Sequence, residues 1–111
     1  MTMEDSMQVR REPEGSEVIR LHVTGEITLS TVPQLRNELL EVLQQTAPIR
    51  LDLTEVTSMD VSGLQLLVSA RRSACRLGKS LSVAACSAMV EDAWRQAGLG
   101  EPAMLKTGQE S

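Results

Sequence analysis

Aromatic side chains are nearly missing from these 111 residues: there is no phenylalanine, no tyrosine and one tryptophan, Trp94. Proteins that hold single-stranded nucleic acid stack its bases on aromatic rings and line a groove with positive charge. This chain lacks the rings, and its formal net charge is -4, so DNA and RNA are excluded as expected partners. Long apolar runs are missing too. A helical bilayer crossing takes roughly 18 or more apolar residues, which no stretch approaches, and "MTMEDSMQVR" at the start is acidic and polar rather than basic and then apolar. The expectation is a cytoplasmic protein with no direct membrane insertion.

Cysteine and histidine are scarce. Cys75 and Cys86 fall in a helical and a strand-like pattern, which in a reducing compartment predicts two buried thiols rather than a disulfide. No cysteine pair has zinc-ligand spacing, and His22 is the sole histidine, so no metal or other cofactor is expected. "GEITLS" carries a single glycine and makes no phosphate-binding loop. His22 reads as an exposed strand residue without the positioned partner a general base needs. Asp52, Glu55 and Asp60 form an acidic cluster in sequence, in which strand alternation makes Asp52 a solvated residue. The expectation is a protein that is not an enzyme.

What is present is aliphatic. Hydrophobic residues make up 41% of the chain, mostly Leu, Val, Ala and Met, enough for one core and one domain over 1–111, with the core at about 7–100. Met7 to Arg11 predicts a short strand, and "EPEGSE" a turn. In "VIRLHVTGEI" Ile19, Leu21 and Val23 alternate with Arg20, His22 and Thr24, as do Ile49, Leu51 and Leu53 with Arg50, Asp52 and Thr54 in "PIRLDLTEV". "SLSVAAC" is a further strand with Leu81, Val83 and Ala85 facing one way. Helical spacing appears in Val32, Leu35, Leu39, Val42 and Leu43, with Pro33 in the first turn. It returns in Leu64, Leu67, Val68, Ala74 and Cys75, widened by Leu66, Ala70 and Leu77 and closed by Gly78. A third helix carries Val90, Ala93, Trp94 and Ala97 behind a Ser87 cap, with Gly98 and Leu99 closing it. Ala103 to Lys106 predicts a short edge strand. Strands alternating with helices imply right-handed crossovers between parallel neighbours. Because each strand keeps a polar side, the helices are expected mainly on one face. The predicted fold is an α/β two-layer sandwich on a mixed sheet of four to five strands.

The stretch "VTSMDVSGLQLLVSA" concentrates the chemistry. Ser62, Gly63, Leu64 and Gln65 fit a capping box, in which the serine hydroxyl caps the helix and the glutamine reaches back. The same corner, with unpaired amides and the positive end of a helix dipole, also suits a phosphate on Ser62. Gly63 would leave room for a partner to approach the backbone. Thr54, Thr57 and Ser58 are further hydroxyls nearby, and Arg71, Arg72, Arg76 and Lys79 place positive charge along the helix and at its end.

From about Val18 to Leu99 the chain resembles STAS domains, a family that includes bacterial anti-sigma factor antagonists. The resemblance is carried by "IRLDLTEV", by the Asp-x-Ser-Gly-Leu corner at Asp60 to Leu64, and by the closing "AGL". It implies a signalling protein of the transcription-regulating kind, whose partner is a protein: an anti-sigma factor kinase that phosphorylates Ser62 and is captured only by the unphosphorylated form. The implied partner-binding residues are Thr28, Thr57, Ser58, Asp60, Val61, Gly63, Leu64 and Gln65. Thr28, in "GEIT", stands where the antagonists usually have an aspartate. Threonine there and "GLQLL" after the serine are similar to a second branch, the adaptor subunits of lipid-transport ATPases and the STAS proteins of chemosensory complexes, which dock a partner without a phosphate switch.

Overall fold

Alternating aliphatic and polar residues give the sheet one face for the helices and one for solvent. The computed structural model describes residues 7–14 and 17–98. Its elements are β1 (Met7–Glu14), β2 (Val18–Ile27), α1 (Val32–Leu43), β3 (Ile49–Met59), α2 (Val61–Arg76), β4 (Leu81–Cys86) and α3 (Ala88–Gln96). The strands lie in the order β1-β2-β3-β4, with β1 antiparallel to β2 and the others parallel. Two crossovers step the same way across the sheet, so their shared handedness puts α1 and α2 on the same side. Ile19, Leu21, Val23, Ile49, Leu51, Leu53, Leu81 and Val83 are buried there against Leu35, Leu39 and Val42 of α1, Leu64 and Leu67 of α2, and Val90 and Trp94 of α3. Each such aliphatic side chain contributes about 1.5–3 kcal/mol by leaving water. Arg20, His22, Arg50 and Asp52 alternate onto the other face. The expected two-layer mixed sandwich is the fold observed, with four strands among the described residues.

Several details depart from the sequence reading. β1 continues past Arg11 to Glu14 because an edge strand tolerates Pro13, which lies opposite Ile19. Arg11 shares the helix-side face of β1, where its guanidinium bonds Glu41 at 2.9 Å and lies 3.6 Å from Glu38, tying the edge strand to α1. Ala85 is exposed rather than core. Leu51 pairs with Val83 but Asp52 pairs with Ala85, so an extra residue in β4 turns the side chains over. Cys75 is exposed and Cys86 half-buried, both as free thiols, so the expectation of two buried cysteines fails. Burial, and after it the charge of Glu91, pushes the Cys86 thiol up. Leu77 is exposed beside Gly78, whose φ of 70° closes α2 while Lys79 N–H donates to the Ala74 carbonyl at 2.8 Å. Lys79 also donates from Nζ to the Gln45 carbonyl at 2.7 Å, tying the end of α2 to the turn that follows α1. The predicted strand at Ala103 to Lys106 and the Leu99 contact lie outside the described residues.

Candidate functional site

The C-terminal ends of β2 and β3 and the start of α2 meet at one corner. β3 reaches it by outrunning its neighbour. His22 pairs with Asp52 but Thr24 with Glu55, and Gly25 pairs with Val56 but Glu26 with Ser58, so β3 carries two extra residues relative to β2. The first bulge leaves Thr54 and Glu55 both exposed and restores burial at Val56. The strand then runs to Met59, and the Asp60 amide donates to the Ile27 carbonyl at 3.2 Å.

Asp60, not Ser62, caps α2. One carboxylate oxygen accepts from the amides of Ser62 at 2.9 Å and Gly63 at 3.2 Å, and the other accepts from the amide of Leu29 at 3.0 Å. The capping box expected at Ser62 and Gln65 is therefore not formed, because the helix begins at Val61 and Ser62 is already its second residue. The Ser62 side chain is half-buried, and its hydroxyl has no hydrogen-bond partner among the described residues. The capping role that the sequence pattern assigns to the serine belongs to the aspartate two positions before it.

Gly63 is buried, and the space a side chain would need there is already filled. A Cβ there would sit 2.8 Å from Ile27 Cγ2 and 3.0 Å from both the Ile27 carbonyl oxygen and Met59 Cγ. Leu64 is also buried. Val61, Asp60, Thr57 and Gln65 are exposed, while Thr28 and Ser58 are half-buried. Thr28 belongs to a tight turn: its carbonyl accepts from the amides of Thr31 at 2.9 Å and Val32 at 2.8 Å, and its amide donates to Thr31 Oγ1 at 2.9 Å. That turn holds Leu29 outward. Leu29, whose amide the Asp60 carboxylate holds, is 72% exposed, and Val61, the residue after Asp60, is 62% exposed.

Two grooves run along α2. One, of about 400 Å³, is lined by Val61, Leu64, Gln65, Val68, Ser69, Arg72 and Ala97. The other, of about 360 Å³, lies toward α1 and is lined by Leu29, Val32, Arg36, Ser62, Gln65, Leu66 and Ser69. Gln65 and Ser69 border both. The structure thus brings Val61, Ser62, Leu64 and Gln65 to one ridge, and adds Leu29, Arg36 and Ser69, which the sequence pattern does not single out. Leu29 carries a signal nonetheless, as a large aliphatic residue in a polar turn just before a helix.

The open face of the sheet holds a second polar group, separate from the corner. His22 is not partnerless there. Its Nε2 lies 2.5 Å from Glu12 of β1 and its Nδ1 3.2 Å from Asp52 of β3, so the ring bridges three strands. A hollow of about 260 Å³ beside it is lined in part by Arg10, Thr24, Thr54 and Glu55. Asp52, half-buried rather than fully solvated, accepts from the Thr54 hydroxyl and from its amide at 3.1 Å. Burial alone would push the Asp52 carboxyl up, but the Thr54 hydrogen bonds and the charges of His22 and Arg20 outweigh it and hold it below its ordinary value of 3.8. A carboxyl held low in the folded state contributes stability above its unfolded value and loses it as pH falls through the folded one. Asp52→Asn is therefore expected to lower stability at pH 7 by less than about 1 kcal/mol, as partly exposed charges do. The difference from wild type should shrink below about pH 4. Urea midpoints of both proteins at pH 7 and pH 3 measure it; a gap that stays constant with pH would show that the Asp52 charge contributes nothing.

Known proteins share this corner's fold. A family model described as "Mlab, STAS domain" matches residues 10–106. An anti-sigma-B factor antagonist from Bacillus subtilis (strain 168) is 32% identical over 65 residues, covering 59% of this chain and 60% of that protein, so the match spans less than two thirds of its length. An anti-sigma factor antagonist from Mycobacterium paratuberculosis shares the fold with a TM-score of 0.74 at 23% identity, over 89% of this chain and 84% of the other. The anti-sigma factor antagonist SpoIIAA in its unphosphorylated form does so with a TM-score of 0.69 at 22% identity, over 84% and 83%.

Proposed function

Because the chain belongs to the STAS domain family, we propose that it is a cytoplasmic regulatory protein of the anti-sigma factor antagonist kind, which docks a partner protein on the α2 corner and is switched by phosphate on Ser62. One observation carries the reading: an unbonded serine hydroxyl lines one of two grooves beside α2, where Leu29 borders the same groove and Val61 the other, both strongly exposed. An exposed apolar patch with a polar rim is the ordinary anatomy of a protein interface. Of the residues assigned to binding, Val61, Gln65 and Thr57 offer side chains to a partner, while Gly63 and Leu64 hold the ridge in place from beneath. A phosphate would add about -1.5 to -2 charges to the groove that Ser62 and Leu29 line. The antagonist from Bacillus subtilis supports the choice of partner class.

A second reading keeps the docking surface and drops the switch. Thr28 supplies no carboxylate and is engaged in its own turn, which favours an adaptor subunit of a lipid-transport ATPase or a chemosensory complex. Capture of partners on wild-type, Ser62→Ala and Ser62→Asp protein, followed by calorimetry with the partner identified, separates the two. The switch predicts that Ser62→Asp weakens binding at least about tenfold, or about 1.4 kcal/mol, and that Ser62→Ala does not. Equal affinity of all three forms for a transporter or chemosensory protein establishes the adaptor instead.

A further inference from the structure

We propose that Arg36 is the intramolecular receptor for a phosphate on Ser62, an inference that rests on Ser62 being the regulated residue. The usual receptor at a helix start is already engaged. The amides of Ser62, Gly63 and Leu29 are all taken by the Asp60 carboxylate, so a phosphate would meet occupied donors and a negative neighbour rather than the free amides such sites employ. It needs a cation from elsewhere.

Arg36 is that cation by position and by availability. It stands on α1 and lines the same 360 Å³ groove as Ser62, across from it on the neighbouring helix. Arg11 is engaged with Glu38 and Glu41 and Arg95 with Glu91 and Asp92, and among the arginines only Arg36 lines the groove that holds Ser62. Arg36 is exposed and has no carboxylate partner among the described residues. A guanidinium offers a planar fork of donors that matches two phosphate oxygens at once. Phosphorylation forms the Ser62 Oγ–P bond, breaks the bond from the γ-phosphorus of a nucleoside triphosphate to its bridging oxygen, and releases the diphosphate and the hydroxyl proton. The new dianion and Arg36 then pair across the groove. The pair lies over Leu29, Val32 and Leu66 and closes the groove between α1 and α2, so the phosphate blocks the partner by covering apolar surface as well as by charge.

The test places phosphoserine at position 62 by codon reassignment in the full chain and follows the phosphate by phosphorus NMR against pH, with Arg36 intact and with Arg36→Gln. A phosphoserine phosphate ordinarily titrates near pH 6, and a neighbouring cation lowers such a value by about one unit or more. The expected result is a phosphate that titrates about one unit lower with Arg36 intact than in Arg36→Gln, with Arg36→Lys between them and added salt narrowing the gap. Trp94 fluorescence confirms that each variant is folded. Superimposable titrations of the phosphorylated protein with Arg36 intact and with Arg36→Gln overturn the assignment of Arg36 while leaving the Ser62 switch standing. A phosphoserine protein that holds its partner as tightly as the unmodified one overturns the switch itself, and the inference with it.

Discussion

Gly63→Ala is expected to unfold about 10 °C below wild type, although alanine is the better helix former. Inside a helix, glycine to alanine normally gains about 1 kcal/mol. Here the new Cβ would stand 2.8 Å from Ile27 Cγ2 and 3.0 Å from the Ile27 carbonyl oxygen. Neither atom yields easily. Ile27 is fully buried and β-branched, and its carbonyl already accepts the Asp60 amide at 3.2 Å, so moving it disturbs the joint between β2 and α2. Overpacking of this kind costs about 1–3 kcal/mol; with backbone among the obstacles the upper end applies, leaving a net loss of about 2 kcal/mol. At roughly 5 °C per kcal/mol for a domain of this size, that is the shift stated. Thermal unfolding followed by the fluorescence of Trp94, which is 3% exposed in α3, measures it. A variant as stable as wild type that binds its partner poorly would mean that the glycine is kept for the partner's approach after all.

The sheet and helices are legible because their periodicity is local, and the errors fall where distant residues decide. β2 runs from Val18 to Ile27 as the alternation in "VIRLHVTGEI" implies, and α1 begins beside Pro33. Beyond Leu53 the pattern fails as a guide, because the register of β3 is set against β2 and absorbs two bulges that no short-range signal announces. Ala85 turns outward for the same reason on the other edge. Spacing alone puts Cys75 in the apolar stripe of α2, but the buried stripe is narrower, consisting of Gly63, Leu64, Leu67, Ala70 and Ala74. His22 looks partnerless in the sequence because Glu12 and Asp52 come from different strands and are remote from it along the chain. At the corner, residue types locate the junction of β3 and α2 but point to the wrong cap. Asp60 and Ser62 are both good capping residues, and the Leu29 amide that completes the bonding of Asp60 belongs to a turn 31 positions earlier.

That choice between two caps yields the second large effect. Asp60→Ala is expected to cost about 2 kcal/mol, roughly 1 kcal/mol for the lost cap and a similar amount for the hydrogen bond that ties the Leu29 turn to the helix. Ser62→Ala should stay within about 0.5 kcal/mol of wild type, as a substitution away from caps and core does. Asp60→Asn retains an oxygen for the helix amides and should lie between them. Urea unfolding of the three variants, followed through Trp94, ranks them directly. The reverse order, with the serine variant the weaker, would restore the capping box. The order predicted here matters for function, because a residue relieved of a structural task can be altered without loss of the fold. With Asp60 holding α2, the loop at Leu29 and the end of β2 together, Ser62 is left free to carry or lose a charge while the ridge beneath it keeps its shape. Asp60→Ala should accordingly weaken partner binding even with Ser62 intact, by releasing the turn that presents Leu29, whereas Ser62→Ala should bind as wild type does.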